Sequence, residues 1–262
     1  MRFHLFRVSE PKLSQSFYYV SLNLIAIKMN ITSKEVALIV CFAALYVIVS
    51  FVPLFKLVGG EGIIAATSVI SLVIGLILGP LLGGLAVLIG GIIVPFVNYQ
   101  VALGFFSSVP HIAAAVCVGA LKNEKQPICI LIYLFSFIFF AFFPYIGPVW
   151  IWPWMLWFHI ISLLIMASPL QTKAIKNISS PNPTSLTTGV IITFLTSTLF
   201  SQVVGSIVFE FLNIGNTSLS YWLGEWQSLT LIYPVERLII VAVATVVAVP
   251  VLKALRIQGF KV

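Results

Sequence analysis

Long apolar blocks recur along this chain, and they leave few ways for it to fold. Eight stretches, 35–54, 63–78, 81–97, 103–121, 127–143, 150–167, 187–211 and 234–255, approach or reach the length that crosses a bilayer. Backbone placed in hydrocarbon finds no water to bond, so each stretch must satisfy its own peptide groups as a helix. The pattern predicts an all-α, polytopic transmembrane bundle of about eight membrane helices. The second and third blocks are short and meet at Gly79-Pro80, which predicts a helical hairpin. Only 8% of the residues are charged, against roughly 25% in a soluble domain, so a cytosolic enzyme is excluded.

The basic residues orient the bundle. With the N-terminus inside, Arg2, Arg7, Lys12, Lys28, Lys34, Lys122, Lys125, Lys173, Lys176, Lys253, Arg256 and Lys261 all fall in the cytoplasm. Lys56 and Arg237 alone fall on the other side, so the positive-inside rule places both termini in the cytoplasm of a multi-pass cell-membrane protein. The net charge of +7 is scattered over several loops and reads as topology, not as nucleic-acid binding.

All seven acidic residues are glutamates, so aspartyl chemistry is absent. There is also no GxxxxGK[ST] loop, so the chain does not hydrolyse ATP by itself. Cys41, Cys117 and Cys129 share no metal-ligand spacing, and neither a metal site nor a cofactor is predicted. Residues 1–28 lack the apolar core and cleavage site of a signal peptide. They read as an N-terminal arm, disordered or preceding a start at Met29, and 29–262 as one transmembrane domain. Thr32 or Ser33 is expected to cap the first helix.

Small residues mark where helices meet, because only close backbone approach drives association in lipid. Gly75, Gly79 and Gly83 repeat at four-residue spacing and predict internal packing. Ala37, Cys41 and Ala44 form a small-residue strip on the first helix that suits a partner's helix, and Ala244 and Ala248 form another on the last.

Polar residues gather toward the outer half. The loop 55–62 sets Glu61 among three glycines, which suits either a flexible lid or an ordinary tight connection. In the seventh block Thr198, Gln202, Ser206 and Glu210 lie four apart on one stripe, which must face protein or water. Pro234 reads as the first residue of the last helix, with Glu236 in its first turn and Arg237 next to it. Arg237 needs an anionic partner or water, with Glu210 and Glu61 as candidates, and an ion pair of purely structural role stands beside a functional one. His111, after Pro110, suits either a ligand or a helix-to-helix hydrogen bond, and His159 is similar and weaker. Trp150, Trp152, Trp154 and Trp157, with Trp222 and Trp226, read as an interfacial belt, with stacking of one or two rings on a planar ligand as the alternative.

The run 36–91, a helix, a short loop, then two helices about Leu78-Gly79-Pro80-Leu81-Leu82-Gly83, resembles the substrate-binding S components of energy-coupling factor (ECF) transporters. The closing helix, with Pro250 and its basic end Lys253 to Arg256, is similar too; together the likeness covers about half the chain. The resemblance implies a membrane subunit that captures a vitamin-like micronutrient outside. It implies docking on a transmembrane coupling subunit driven by two ATPase subunits, then toppling to release the solute. It places docking on an AxxxA strip, matched here by Ala37 and Cys41, with cysteine in the second position. It also implies a six-helix core, so the fifth and sixth blocks read as an inserted hairpin. Binding then falls to Glu61, His111, Gln202, Glu210, Glu236 and Arg237, and the protein is not an enzyme.

Three other readings compete. A stand-alone proton- or sodium-coupled transporter would use Glu210, Glu236 or His111 and would show inverted repeats, which the sequence lacks. An intramembrane enzyme would need a nucleophile with its base, yet GxSxG and HExxH are both absent. A purely structural assembly factor would leave the polar stripe of the seventh block with nothing to serve.

Overall fold

The computed structural model describes residues 32–60, 62–215 and 218–258. The arm 1–28 and Glu61 therefore lie outside the described residues. Ala37–Val262 packs as one compact unit, and the described residues before it, 32–36, belong to another. Thr32 caps helix α1 (Ser33–Val49) as expected, with the helix's first turn in the earlier unit and its length from Ala37 on in the second. Glu35 N–H donates to Thr32 Oγ1 at 3.3 Å, and Thr32 N–H donates to Glu35 Oε2 at 2.7 Å, a reciprocal capping box.

In the second unit a β-ribbon, β1 (Pro53–Lys56) and β2 (Ile63–Ala65), follows α1, and then α2 (Thr67–Val97). Next come α3 (Ser108–Lys122), α4 (Gln126–Ala141), a single turn α5 (Pro148–Ile151), α6 (Trp157–Ala167), α7 (Pro169–Ile178), α8 (Pro183–Leu212) and α9 (Leu219–Ile257). The architecture is all-α apart from the ribbon.

The eight apolar blocks do not become eight spans. Four helical segments among the described residues are long and apolar enough to cross a membrane: Thr67–Val97, Gly104–Lys122, Pro183–Leu212 and Leu219–Ile257. A fifth is reached if Pro153–Ala167 and Pro169–Ile178, bent by 68°, count as one. The apolar α4 is shorter. Hydropathy registers greasy length, and it does not register where a backbone bends.

The predicted hairpin is present within α2. Gly79 takes φ +78°, which L side chains rarely adopt, and breaks the helix before Pro80. The chain then returns on itself, since a Cβ on Gly83 would lie 3.1 Å from the Gly75 Cα, eight residues earlier. Two such residues in a straight helix stand roughly 12 Å apart. Helix α3 fits against both arms: a Cβ on Gly75 would sit 2.2 Å from the Ala115 carbonyl, and one on Gly119 would sit 2.3 Å from the Pro80 nitrogen. At the same end Lys122 Nζ donates to the Leu76 carbonyl at 2.9 Å, a cation placed on the orphan acceptors of the first arm.

Two cores result. One joins α1, α2, α3, α8 and α9 through Tyr46, Leu72, Val87, Ala115, Phe194 and Ile240. The other joins α4, α6 and the first third of α9 through Tyr133, Phe140, Met166, Trp222 and Trp226. Trp222 and Trp226 are fully buried, so they are core and not belt, whereas Trp150 and Trp154 are exposed as a belt residue would be. Ala244 and Ala248 are buried as well, which removes them as an outward docking strip.

Pro234 does not start the last helix. Ser218 caps α9, and Pro234 lies inside it. A proline has no N–H to give the carbonyl four residues earlier, and here that carbonyl, Thr230 O, accepts the Trp157 indole N–H at 3.0 Å. A side chain from the start of α6 thus repairs the break that the sequence reads as a helix start.

Candidate functional site

The glycine-rich first loop is a connection of β1 to β2 rather than a free coil. Lys56 pairs with Ile63, Ile63 N–H donates to the Gln100 carbonyl at 2.8 Å, and Ala102 N–H donates back to Ile63 O at 3.0 Å. Gly62 makes this approach possible: its φ is +122°, and a Cβ there would be 2.9 Å from the Ala102 Cα. Over the loop, Tyr221 of α9 donates its hydroxyl to Gly59 O at 2.7 Å.

Beneath this cover lies a cavity of about 80 Å³ between α1, the ribbon, α2, α3, α8 and α9. Its polar side chains include Tyr46, His111, Gln202, Ser206, Tyr233 and Arg237. Ile64, Val94, Leu103 and Phe209 supply apolar walls.

Each polar group is placed by its helix. Gln202 and Ser206 are one turn apart on α8, so both face the cavity. Ser201 is tied to α3 by a 2.6 Å hydrogen bond to the Pro110 carbonyl. His111 shares a 2.6 Å hydrogen bond through Nδ1 with the Tyr46 hydroxyl, across from α3 to α1. Arg237 pairs with Glu236 at 3.3 Å, and both are buried. Among the described residues the ion-pair partner of Arg237 is therefore its own neighbour and not the candidate Glu210. Adjacent helix positions do not normally face each other, and the long arginine stem makes up the angle.

Several buried polar atoms here have no hydrogen-bond partner among the described residues. They include Gln202 Nε2 and Oε1 and Arg237 Nε. Gln202 is only 5% exposed and Arg237 only 7%. An unpaired buried polar group costs about 1–3 kcal/mol, and native folds keep few of them. Three such atoms on the wall of one cavity fit a site whose partner comes from outside the chain.

The expected residues divide three ways. His111, Gln202 and Arg237 line the cavity, and Glu236 stands behind them as the arginine's counter-ion. Glu210 is fully buried and has no hydrogen-bond partner among the described residues, but it does not line the cavity, one turn beyond Ser206 on the stripe. Glu61 lies outside the described residues. His159 packs edge-on against Phe140 in the second core instead. Tyr46 and Tyr233 were missed, although a tyrosine hydroxyl deep in an apolar block has to find a polar partner. The strip Ala37, Cys41 and Ala44 is exposed on α1. Among the described residues no three His, Cys or Glu side chains converge to hold a metal ion.

Compared with known protein families, with curated proteins and with solved structures, the chain matches none.

Proposed function

We propose that this protein captures a small solute in the cavity beneath the β-ribbon and serves as the substrate-binding membrane subunit of a micronutrient uptake transporter of the energy-coupling factor kind. The observation that carries the reading is the set of unpartnered buried atoms on Gln202 and Arg237 facing one cavity. The exposed strip of Ala37, Cys41 and Ala44 suits close approach by a helix of a coupling subunit, with two ATPase subunits supplying the energy. Basic residues Lys122 and Arg256 sit at the end away from the ribbon, which agrees with cytoplasmic termini and an outward cavity. Under this reading the core has six membrane helices, and the α4–α6 region is the insertion.

Native mass spectrometry of the purified protein tests both parts at once. A bound small molecule lost in Arg237→Ala, and coupling subunits lost in Ala37→Leu/Ala44→Leu, are expected. Wild-type affinity in a normally expressed Arg237→Ala protein sinks the proposed site.

Glu210, a buried carboxyl one turn from the cavity with no partner among the described residues, favours a second reading as a stand-alone proton-coupled transporter. Uptake that a protonophore abolishes in vesicles free of nucleotide would select it.

A further inference from the structure

We infer that the solute presents to Gln202 a neutral cis-amide edge, the adjoining N–H and C=O of a lactam, cyclic ureide or imide. This deepens the proposed solute site and rests on it.

Gln202 is held in the cavity wall with both ends of its carboxamide unpaired. The amide nitrogen donates only and the oxygen accepts only. One group that completes both must therefore carry a donor beside an acceptor in one plane, as an adenine edge does for Gln and Asn in nucleic-acid recognition. A carboxylate offers acceptors alone and would leave Gln202 Oε1 facing its lone pairs. An ammonium offers donors alone and would strand Nε2.

Charge points the same way. Arg237 is the one arginine or lysine among the described lining residues, and Glu236 already balances it at 3.3 Å. A solute with net charge would enter as an uncompensated ion at membrane depth, whereas a neutral one adds no such burden. Arg237 Nε keeps an unused N–H on the same wall, a donor suited to a carbonyl oxygen of the solute. Val94, Leu103 and Phe209 supply apolar surface for the rest of a compact ring.

Isothermal titration of the full-length protein in nanodiscs tests this with matched probes. Uracil and 2-pyrrolidone carry the edge, 1,3-dimethyluracil and N-methyl-2-pyrrolidone have the N–H capped, and benzoate is the anion. The N–H forms are expected to bind at least about tenfold more tightly than their capped forms and than benzoate. Gln202→Met should abolish that preference without lowering the unfolding temperature. Gln202→Glu, which replaces the NH2 donors with a second oxygen and adds a charge when ionised, should weaken uracil while the protein stays folded. Capped probes or benzoate binding as well as the N–H forms overturn the amide edge. If that binding is lost on filling the cavity with Gly205→Phe, the solute site itself survives. No binding by any probe, or binding that Gly205→Phe leaves intact, overturns both.

Discussion

The Trp157 indole nitrogen lies 3.0 Å from the Thr230 carbonyl, the one that Pro234 leaves without its helical donor. A break in α9 is thereby closed by a side chain from the start of α6. The same turn is bound a second time, since Trp152 Nε1 donates to Thr230 Oγ1 at 3.1 Å. The α4–α6 region is consequently joined to the helix that carries Arg237. Trp157→Phe should lower stability by about 1 kcal/mol, the value of one such bond, and should do so only while Pro234 is present. In Pro234→Ala the carbonyl regains its own donor, and a double-mutant cycle read by thermal unfolding in detergent should show the coupling.

Packing of the α2 hairpin against α3 depends on absent side chains. Gly75→Leu would place atoms where the Ala115 backbone is, 2.2 Å from the first added carbon. It should abolish monodisperse folded protein on size-exclusion chromatography. Gly224→Ala is the matched control, because a Cβ there meets nothing within 4 Å. Lower backbone entropy in the unfolded chain should make it neutral or more stable by about 0.5–1 kcal/mol.

Gln202 should show a conflict between stability and function. Removing two unpaired buried polar atoms with Gln202→Met relieves a cost of about 1–3 kcal/mol for each group. The ligand-free variant should melt at a higher temperature than wild type while binding of the co-purifying solute falls. A lower melting temperature would instead mark Gln202 as a structural residue.

The Arg237–Glu236 pair should respond asymmetrically. Arg237→Met leaves Glu236 buried without its counter-ion, and breaking such a pair costs about 3–5 kcal/mol. Adding Glu236→Gln should restore most of the lost stability, because both charges are then gone. Solute binding should stay lost in the double variant, since Arg237 Nε is still missing. Thermal unfolding and native mass spectrometry of the two variants separate these outcomes.

Some features of this protein are determined locally and can be read along the chain. Apolar length forces helices because hydrocarbon offers no other bonding for the backbone. Thr32 and Glu35 form their capping box within four residues. Gly79-Pro80 breaks a helix wherever it lies, so the hairpin was legible, as were His111, Gln202 and Arg237 as polar groups that apolar surroundings must accommodate. Other features depend on contacts between residues far apart in sequence. Pro234 looks like a helix start until Trp157, 77 positions earlier, supplies the missing donor. Ala244 and Ala248 resemble the strip on α1 until neighbouring helices cover them. Glu210 and Gln202 share one stripe, yet helix packing opens the cavity at Gln202 and Ser206 and closes it before Glu210, two turns on. A side chain's chemistry is set by its sequence position, but its partners are set by which helices arrive beside it, and that is decided only when the whole bundle packs.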